Sequence, residues 1–221
     1  MNYDVIIVGA GASGVFTAFE LIKQKSDIKV LMIEKGHSLD QRICPIDNKN
    51  IKACIHCGVC NIVNGFGGAG SLSDGKYNIT NNFGGDLNKY VGDKEALDLM
   101  WYVDEVLCGM GGAEAKLYST ANSELKTKAL KYDLHLLDAK VRHFGTDRNV
   151  KILANMFDFL KDKVDIIFDC EVTDINKDND VFTISTRKTN FTCRDLVLAT
   201  GRSGSKWISG ICDKMNIKTE R

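Results

Sequence analysis

The sequence predicts an α/β fold, in which a doubly wound parallel sheet is extended by a three-stranded antiparallel meander. Residues 4–8, DVIIV, are a short apolar run typical of a buried parallel strand, and residues 28–36 contain a second such run. Between them, apolar residues recur at helical spacing over residues 15–25, which completes a strand–helix–strand unit. From Asp165 onward the apolar period changes to two, which indicates antiparallel strands.

The other elements follow from the same patterns. Residues 37–92 are rich in Gly and Asn and have little periodicity, so we expect an irregular Cys/Gly-rich insertion there. Helical periodicity predicts helices at 94–108, 119–131 and 145–163. The predicted strands of the meander and the buried strand after it are 165–175, 181–188, 189–195 and 195–201. We expect one domain over residues 1–221.

Composition argues against several classes of function. The chain carries 29 basic and 29 acidic residues, so its overall field attracts neither nucleic acid nor an anionic membrane. Glycines interrupt the N-terminal apolar run well short of a membrane span, and Asp4 precedes it where a signal peptide would have basic residues. The eight cysteines are not those of a small secreted domain, and the sequence has no hydrolase motif. We expect a cytoplasmic protein without nucleic-acid or membrane partners.

A Gly-x-Gly-x-x-Gly pattern lies between the first strand and the first helix. In this context the three glycines permit a tight turn, close approach to a pyrophosphate, and tight helix–strand packing. The helix N-terminus offers N–H groups to the phosphates, and Glu34 can accept from ribose hydroxyls. That carboxylate disfavours a 2′-phosphate, so this Rossmann-like unit is predicted to bind FAD or NAD. The predicted contact residues are Gly9, Ala10, Gly11, Ala12, Ser13, Gly14, Glu34 and Lys35.

The last part of the chain favours FAD. A buried strand that ends in Ala199, Thr200 and Gly201 after a meander resembles the FAD domain of two-dinucleotide-type flavoproteins such as glutathione reductase. The resemblance implies an FAD/NAD(P)-binding type of fold, in which the meander covers part of the sheet. It also implies that the backbone near Val172 contacts the adenine and that the 199–201 turn passes near the flavin nucleotide.

A narrower resemblance is to a family of bacterial FAD-dependent dehydrogenases. It is carried by GFGGAGSLSDGK at 65–76 with the cysteines before it, by RHFGTD at 142–147 and by ATGRSGSKW at 199–207. Ser71 and Leu72 stand where the family has Ala and Phe. The residues that the resemblance places against the flavin pyrophosphate or ring are Gly67, Gly68, Ala69, Gly70 and Ser71. Family members are about twice as long, and their C-terminal substrate region has no match here.

Three charged residues near these loops each have two interpretations. Arg42 is either a partner of a cofactor phosphate, the role for which we include it among the predicted cofactor-binding residues, or a solvated surface residue. Asp74 and Lys76 are either a polar pair in a site or simply solvated charges of the loop.

Cys54, Cys57 and Cys60 form a C-x2-C-x2-C triplet, and Cys44 lies ten residues upstream. Three thiolates at this spacing can hold an iron–sulfur cluster, with Cys44 as fourth ligand. The ferredoxin pattern is only partly met, because Asn64 stands where its next cysteine would be. Zinc usually takes two separate Cys-x-x-Cys pairs. A redox-active disulfide and inert thiols are further alternatives.

Together these features predict an FAD-dependent oxidoreductase that transfers hydride or electrons through the flavin. NAD(P)H is a candidate electron donor, and the expected partner is a small-molecule substrate or a redox protein. The flavin performs the transfer, so the sequence need not supply a catalytic acid or base, and none is assigned. The alternatives are a dinucleotide-binding protein without turnover and an NAD-binding protein with structural zinc.

Overall fold

The structure, a computed structural model, describes residues 2–25, 27–47 and 51–219. Its strands are β1 (Asn2–Val8), β2 (Val30–Ile33), β3 (Lys76–Ile79), β4 (Leu117–Ser119), β5 (Lys140–His143), β6 (Asp165–Ile167), β7 (Val172–Asp178), β8 (Val181–Thr186) and β9 (Asn190–Leu198). Its helices are α1 (Ala12–Gln24), α2 (Leu87–Val91), α3 (Asp93–Leu107), α4 (Ser123–Leu130), α5 (Thr146–Leu160) and α6 (Ser205–Lys214). None of these helices is both long and apolar enough to cross a membrane.

The chain divides into two units. The first contains Met1–Ser71 and Met156–Arg221, and the second contains Leu72–Asn155. The predicted insertion at 37–92 is therefore shared between the units, with its boundary after Ser71. The assignment of a single FAD-binding domain to residues 1–221 stays a prediction.

The first unit is built on a six-stranded sheet in the order β6-β2-β1-β9-β8-β7. The first four of these strands are parallel, whereas β9, β8 and β7 pair antiparallel as a meander. In β1 and β2 the central residues are apolar and buried, as a strand covered on both faces requires.

Both faces of the parallel part of the sheet are covered. On one face, Gly14 brings α1 against Ile7, and Phe19 of α1 contacts Phe159 of α5 with ring centroids 5.1 Å apart. The other face is an apolar cluster that joins strands β1 and β2 to the meander and to α6. Members of this cluster include Ile6, Val8, Leu31, Ile33, Ile175, Ile184 and Ile211. The predicted fold class is therefore confirmed.

Two predicted strand boundaries were wrong. The run at 165–175 is broken at Asp169, whose φ of 52° turns the chain, so that β6 extends the parallel sheet and β7 begins the meander. The runs at 189–195 and 195–201 form the single strand β9, because no glycine or proline interrupts the chain between Asn190 and Leu198.

The second unit contains a three-stranded antiparallel sheet in the order β3-β5-β4. Helix α3 agrees with the helix predicted at 94–108, but α4 begins four residues later than predicted. Ser119 belongs to β4, and the Asn122 side chain caps α4 by accepting from Leu125 N at 2.9 Å. Arg142 of β5 makes a bidentate ion pair with the buried Asp104 of α3, with both N–O distances 2.6 Å.

Candidate functional site

Three loops of the first unit meet at the carboxyl ends of β1, β2 and β9. The Ala199 N–H, just after β9, donates to the Val8 carbonyl at 2.8 Å. The Gly9 N–H, just after β1, donates to the Ile33 carbonyl at 2.8 Å. In doubly wound sheets ligands bind outside this edge.

The first glycine loop, residues 9–14, needs two of its glycines for packing. Gly9 has φ +106°, and a Cβ there would lie 2.4 Å from the Ala199 carbonyl oxygen. A Cβ on Gly14 would lie 1.9 Å from the Gly9 carbonyl oxygen. At Gly11 the nearest atom to an added Cβ is Gly68 Cα, at 3.9 Å, so this glycine leaves space. The tight turn and the close packing are as predicted, and the cofactor contact of Gly11 stays a prediction.

The N-terminus of α1 has the features of an anion site. Its N-cap residue is Gly11, which has no side chain to accept from the first N–H groups, and no acidic residue occupies the first turn. Ala12 and Ser13 are exposed. The N–H groups and partial positive charge of a helix start favour phosphate. The donors and the space at Gly11 therefore fit the pyrophosphate of a dinucleotide.

The second glycine loop, residues 65–71, packs directly on the first. The Gly67 N–H donates to the Ala10 carbonyl at 2.8 Å, and Gly67 and Gly68 have φ of 81° and 63°. A Cβ on Gly68 would lie 2.9 Å from Gly11 Cα, whereas one on Gly70 would meet no atom within 4 Å. This loop, with Ala69 and Ser71, thus lies beside the helix start. Its contact with a flavin stays a prediction.

Glu34 has a role that the sequence did not reveal. Its side chain is buried, and its carboxylate accepts from the N–H groups of Ala10 at 2.7 Å, Gly36 at 2.8 Å and Gly65 at 3.0 Å. It therefore holds the two glycine loops to the end of β2. A carboxylate has about four acceptor positions, so about one is left for a ribose hydroxyl. The predicted ribose contact stays a prediction, as does a cofactor contact of the half-buried Lys35.

Arg42 is buried, so its interpretation as a solvated surface residue was wrong. It donates to the carbonyls of Asn61 and Ile62 at 2.9 Å each, to the Phe66 carbonyl at 2.7 Å, and to Ser71 Oγ. Burial lowers the pKa of its guanidinium. Since a guanidinium has five N–H donors, about one remains, and a phosphate contact stays a prediction.

The start of the meander is also attached to this edge. The N–H groups of Asp169 and Cys170 donate to the carbonyls of Gly36 at 3.1 Å and Glu34 at 3.0 Å. Val172, the predicted adenine contact, is buried two residues later at the start of β7.

The turn after β9 is tied to the second glycine loop. Ser203 Oγ donates to Asn64 Oδ1 at 3.0 Å, directly before that loop. A Cβ on Gly204 would lie 2.5 Å from Thr200 Cβ, and Gly201 has φ +60°. The predicted residues Ala199 and Thr200 lie against Gly9 of the first glycine loop, and Gly201 leads into the turn tied to Asn64. The contact of Ala199, Thr200 and Gly201 with the flavin nucleotide stays a prediction.

The four predicted metal ligands line one cavity of about 230 Å³, which we call the thiol pocket. Its cysteines are Cys44, Cys54, Cys57 and Cys60, all free thiols. Over the described ranges, however, no group of three His, Cys, Asp or Glu side chains is close enough to hold a metal ion. The four cysteines thus line one pocket, but their side chains are not arranged as ligands of a metal ion.

The second unit brings together two motifs that the sequence separates by about seventy residues. Asp74 accepts from Lys76 Nζ at 2.7 Å, and its other oxygen lies 2.8 Å from His143 Nε2. Lys76 first, and then His143, lower the pKa of the Asp74 carboxyl. Asp74 and Lys76 therefore pair with each other, but more than half of each side chain is exposed to solvent, and a role of the pair in a site stays a prediction. From the sequence, His143 is either a substrate contact, as the family resemblance implies, or a loop residue at a helix start. Its proximity to Asp74 could not be predicted, because it is set by the pairing of β3 with β5.

Comparisons with known proteins bear on the fold. No protein-family model matches the chain. Over 57 residues, 26% of its length, the chain is 37% identical to "L-2-hydroxyglutarate dehydrogenase, mitochondrial" of Dictyostelium discoideum, and covers 12% of that protein.

Several oxidases of known structure are similar. Glycine oxidase from Geobacillus kaustophilus has a TM-score of 0.53 at 18% identity, over 97% of this chain and 58% of that one. NikD, an amino acid oxidase essential for nikkomycin biosynthesis, has a TM-score of 0.52 at 13% identity, over 96% and 54%. L-α-glycerophosphate oxidase from Mycoplasma pneumoniae, with FAD bound, has a TM-score of 0.51 at 14% identity, over 96% and 57%.

The chain thus spans little more than half the length of these solved structures. At such identities a likeness reports on the fold. Together with the sheet order and the strand–glycine-loop–helix unit, it shows that the chain has the FAD/NAD(P)-binding fold.

Proposed function

We propose that the chain is the FAD-binding part of an FAD-dependent oxidoreductase. The observation that carries the proposal is the meeting of two glycine loops at an uncapped helix N-terminus, on the ligand-binding edge of the sheet. Bound there, FAD would supply the acceptor or donor for hydride or electrons.

The chain's own residues would bind and orient that cofactor. The N–H groups of Ala12 and Ser13 would hold the pyrophosphate, because the helix start leaves them without a capping side chain. The free acceptor position of Glu34 would take a ribose hydroxyl. The backbone at Val172 would contact the adenine, while residues 67–71 and 199–201 would line the flavin side.

The names of the similar proteins support a substrate class. They are oxidases of glycine, amino acids and glycerophosphate, and a dehydrogenase of a 2-hydroxy acid. We propose a small polar substrate in which a C–H bond beside nitrogen or oxygen is oxidised, the two electrons passing through the flavin to an oxidised redox protein. NAD(P)H would be the electron donor in the reverse, reductase direction, in which the flavin reduces the small-molecule substrate. We also propose a cytoplasmic location.

Titration of the purified chain with FAD, followed by flavin fluorescence and absorbance, tests the binding proposal. Gly11→Val should fold but fill the space against a pyrophosphate, and we expect its affinity for FAD to fall by about tenfold or more. Gly210→Ala, in α6 where an added Cβ meets no atom within 4 Å, is the matched control and should bind as the wild type does.

If neither the fluorescence nor the absorbance of added FAD changes in the presence of the protein, the proposal is overturned. Binding without reduction by NADH, NADPH or substrates of the proposed class would favour the alternative of a dinucleotide-binding protein without turnover.

A second candidate function is an iron–sulfur or redox-thiol site that exchanges electrons with the flavin. The observation that favours it is the shared thiol pocket, whose last lining residue, Asn61, lies four residues before the second glycine loop. Iron, sulfide and zinc analysis of anaerobically prepared protein tests it. Iron with acid-labile sulfide would support a cluster, whereas zinc alone would favour an NAD-binding protein with structural zinc.

A further inference from the structure

Arg42 connects the thiol pocket to the second glycine loop. Its Nε and one terminal nitrogen donate to the carbonyls of Asn61 and Ile62, at 2.9 Å each. Its other terminal nitrogen donates to the Phe66 carbonyl at 2.7 Å and to Ser71 Oγ. One buried guanidinium thus holds a turn on one side and both ends of a loop on the other.

On the thiol side, Arg42 is fixed to the turn that follows Cys60. The Cys60 carbonyl accepts from the Asn64 N–H at 2.8 Å, which closes this turn. Asn61 Nδ2 donates to the carbonyl of Ile43, the residue after Arg42, at 2.8 Å. The wall of the thiol pocket is therefore attached to Arg42 through both its side chain and its main chain.

On the cofactor side, the second glycine loop contacts the first through Gly67 and Gly68. Gly67 donates to the Ala10 carbonyl at 2.8 Å, and an added Cβ on Gly68 would lie only 2.9 Å from Gly11 Cα. A displacement of residues 66–71 therefore displaces the loop at the start of α1. Close-packed interiors transmit such shifts because they have few voids.

A ligand at the thiols would have to rearrange the cysteine segment that leads into the turn. No three metal-ligating side chains lie together among the residues that the structure describes, although the four thiols share a pocket. Metal–sulfur bonds are about 2.3 Å long, so an ion requires the sulfurs to be drawn together. Any shift of Cys60 in that rearrangement would carry with it the adjoining carbonyls of Asn61 and Ile62, which accept from Arg42.

We propose that Arg42 couples the thiol pocket to the glycine loops, so that occupation or modification of the thiols changes the affinity for FAD. The inference rests on the proposed function, since FAD is taken as the ligand of the loops. Arg42 is a positioning residue, because its side chain acts through the loop. Lysine cannot replace it, since an ammonium lacks the planar fork that serves four acceptors.

Alkylation with N-ethylmaleimide tests the coupling. In the wild-type chain we expect alkylation to speed hydrogen exchange of the peptide that contains residues 65–71, whose Gly67, Gly68 and Ser71 N–H groups are bonded. We also expect it to weaken FAD binding by about fivefold or more. In Arg42→Lys, we expect faster exchange of this peptide and weaker FAD binding than in the wild type even before alkylation. Alkylation should then change either quantity little.

Two controls isolate the effect. Arg187→Lys, at an exposed arginine, should respond to alkylation as the wild type does. A variant with Cys44→Ser, Cys54→Ser, Cys57→Ser and Cys60→Ser, which lacks all four thiols of the pocket, should not respond. Unchanged exchange in alkylated wild type, an equal response in Arg42→Lys, or a response in the quadruple variant would each overturn the coupling. Absence of FAD binding would overturn the proposed function instead, while the exchange data would still decide the coupling.

Discussion

The two halves of residues 54–76 are held in opposite ways. The cysteine half has no regular structure, exposes Cys54 and Cys57, and has His56 at φ +52°. In the glycine half, Phe66 is fully buried and packs edge-on against Phe157, with ring centroids 5.2 Å apart.

The difference teaches how each half acquires its order. The second glycine loop is fixed by groups of the chain itself, namely the carboxylate of Glu34 and the guanidinium of Arg42. Such a loop is preorganised and spends little binding free energy on ordering. In the described residues Cys54 Sγ accepts from the His56 N–H at 3.5 Å and Cys60 interacts electrostatically with Arg42, but no three metal-ligating side chains lie together. The ligand geometry of the thiols therefore depends on what binds them.

Replacing Glu34, which holds the glycine loops, should lower the free energy of unfolding more than any other change predicted here. In Glu34→Leu three buried N–H groups lose their acceptor, and we expect the free energy of unfolding to fall by about 3 kcal/mol or more. Urea denaturation followed by circular dichroism measures the change.

Two variants frame this prediction. Glu34→Gln keeps one oxygen but turns an amide N–H₂ toward a donor, so its loss should be about 1–3 kcal/mol. Cys57→Ser, at an exposed thiol, should leave the free energy of unfolding unchanged. A loss in Glu34→Leu no larger than in Cys57→Ser would mean that the carboxylate does not hold the loops.

Two glycine substitutions, one in each half of residues 54–76, compare the halves directly. Their expected effect on the free energy of unfolding is smaller than that of replacing Glu34. Gly68 has φ +63° and Gly11 Cα nearby, so Gly68→Ala should lower the free energy of unfolding by about 1–3 kcal/mol. At Gly58, between the cysteines, an added Cβ meets no atom within 4 Å, and Gly58→Ala should be neutral. Thermal and urea unfolding of both variants measure this, and equal losses would contradict the contrast.

Local features of the site could be predicted from the sequence. The roles of Gly9 and Gly14 follow from a strand, a turn and a helix that are adjacent in the chain. The triple hydrogen bonding of Glu34 could not be predicted, because two of its partners belong to loops brought close by the sheet. The same holds for Arg42, whose acceptors lie about twenty to thirty residues downstream.

For the thiols, the sequence predicts which residues could act together but not how they are arranged. Their spacing predicts a ligand set, but spacing alone does not fix the backbone path between residues 54 and 60. A motif whose geometry depends on its ligand can be found in a sequence, while its arrangement without the ligand cannot.

The smallest expected effect is on the pH dependence of the free energy of unfolding. It distinguishes a thiol in the core from the thiols of the thiol pocket. Cys193 of β9 is buried, and burial raises its pKa from 9.0 to about 11. The folded state therefore keeps this proton more strongly than the unfolded state does. Its contribution to stability is fully present below pH 9 and is lost as the pH rises through about 11.

We expect the free energy of unfolding of the wild type to fall more steeply between these pH values than that of Cys193→Ala. Cys54→Ala, at an exposed thiol, should keep the wild-type slope and is the matched control. Urea denaturation across this range measures the slopes. Parallel curves for wild type and Cys193→Ala would mean that the β9 thiol ionises as easily in the fold as in the unfolded chain.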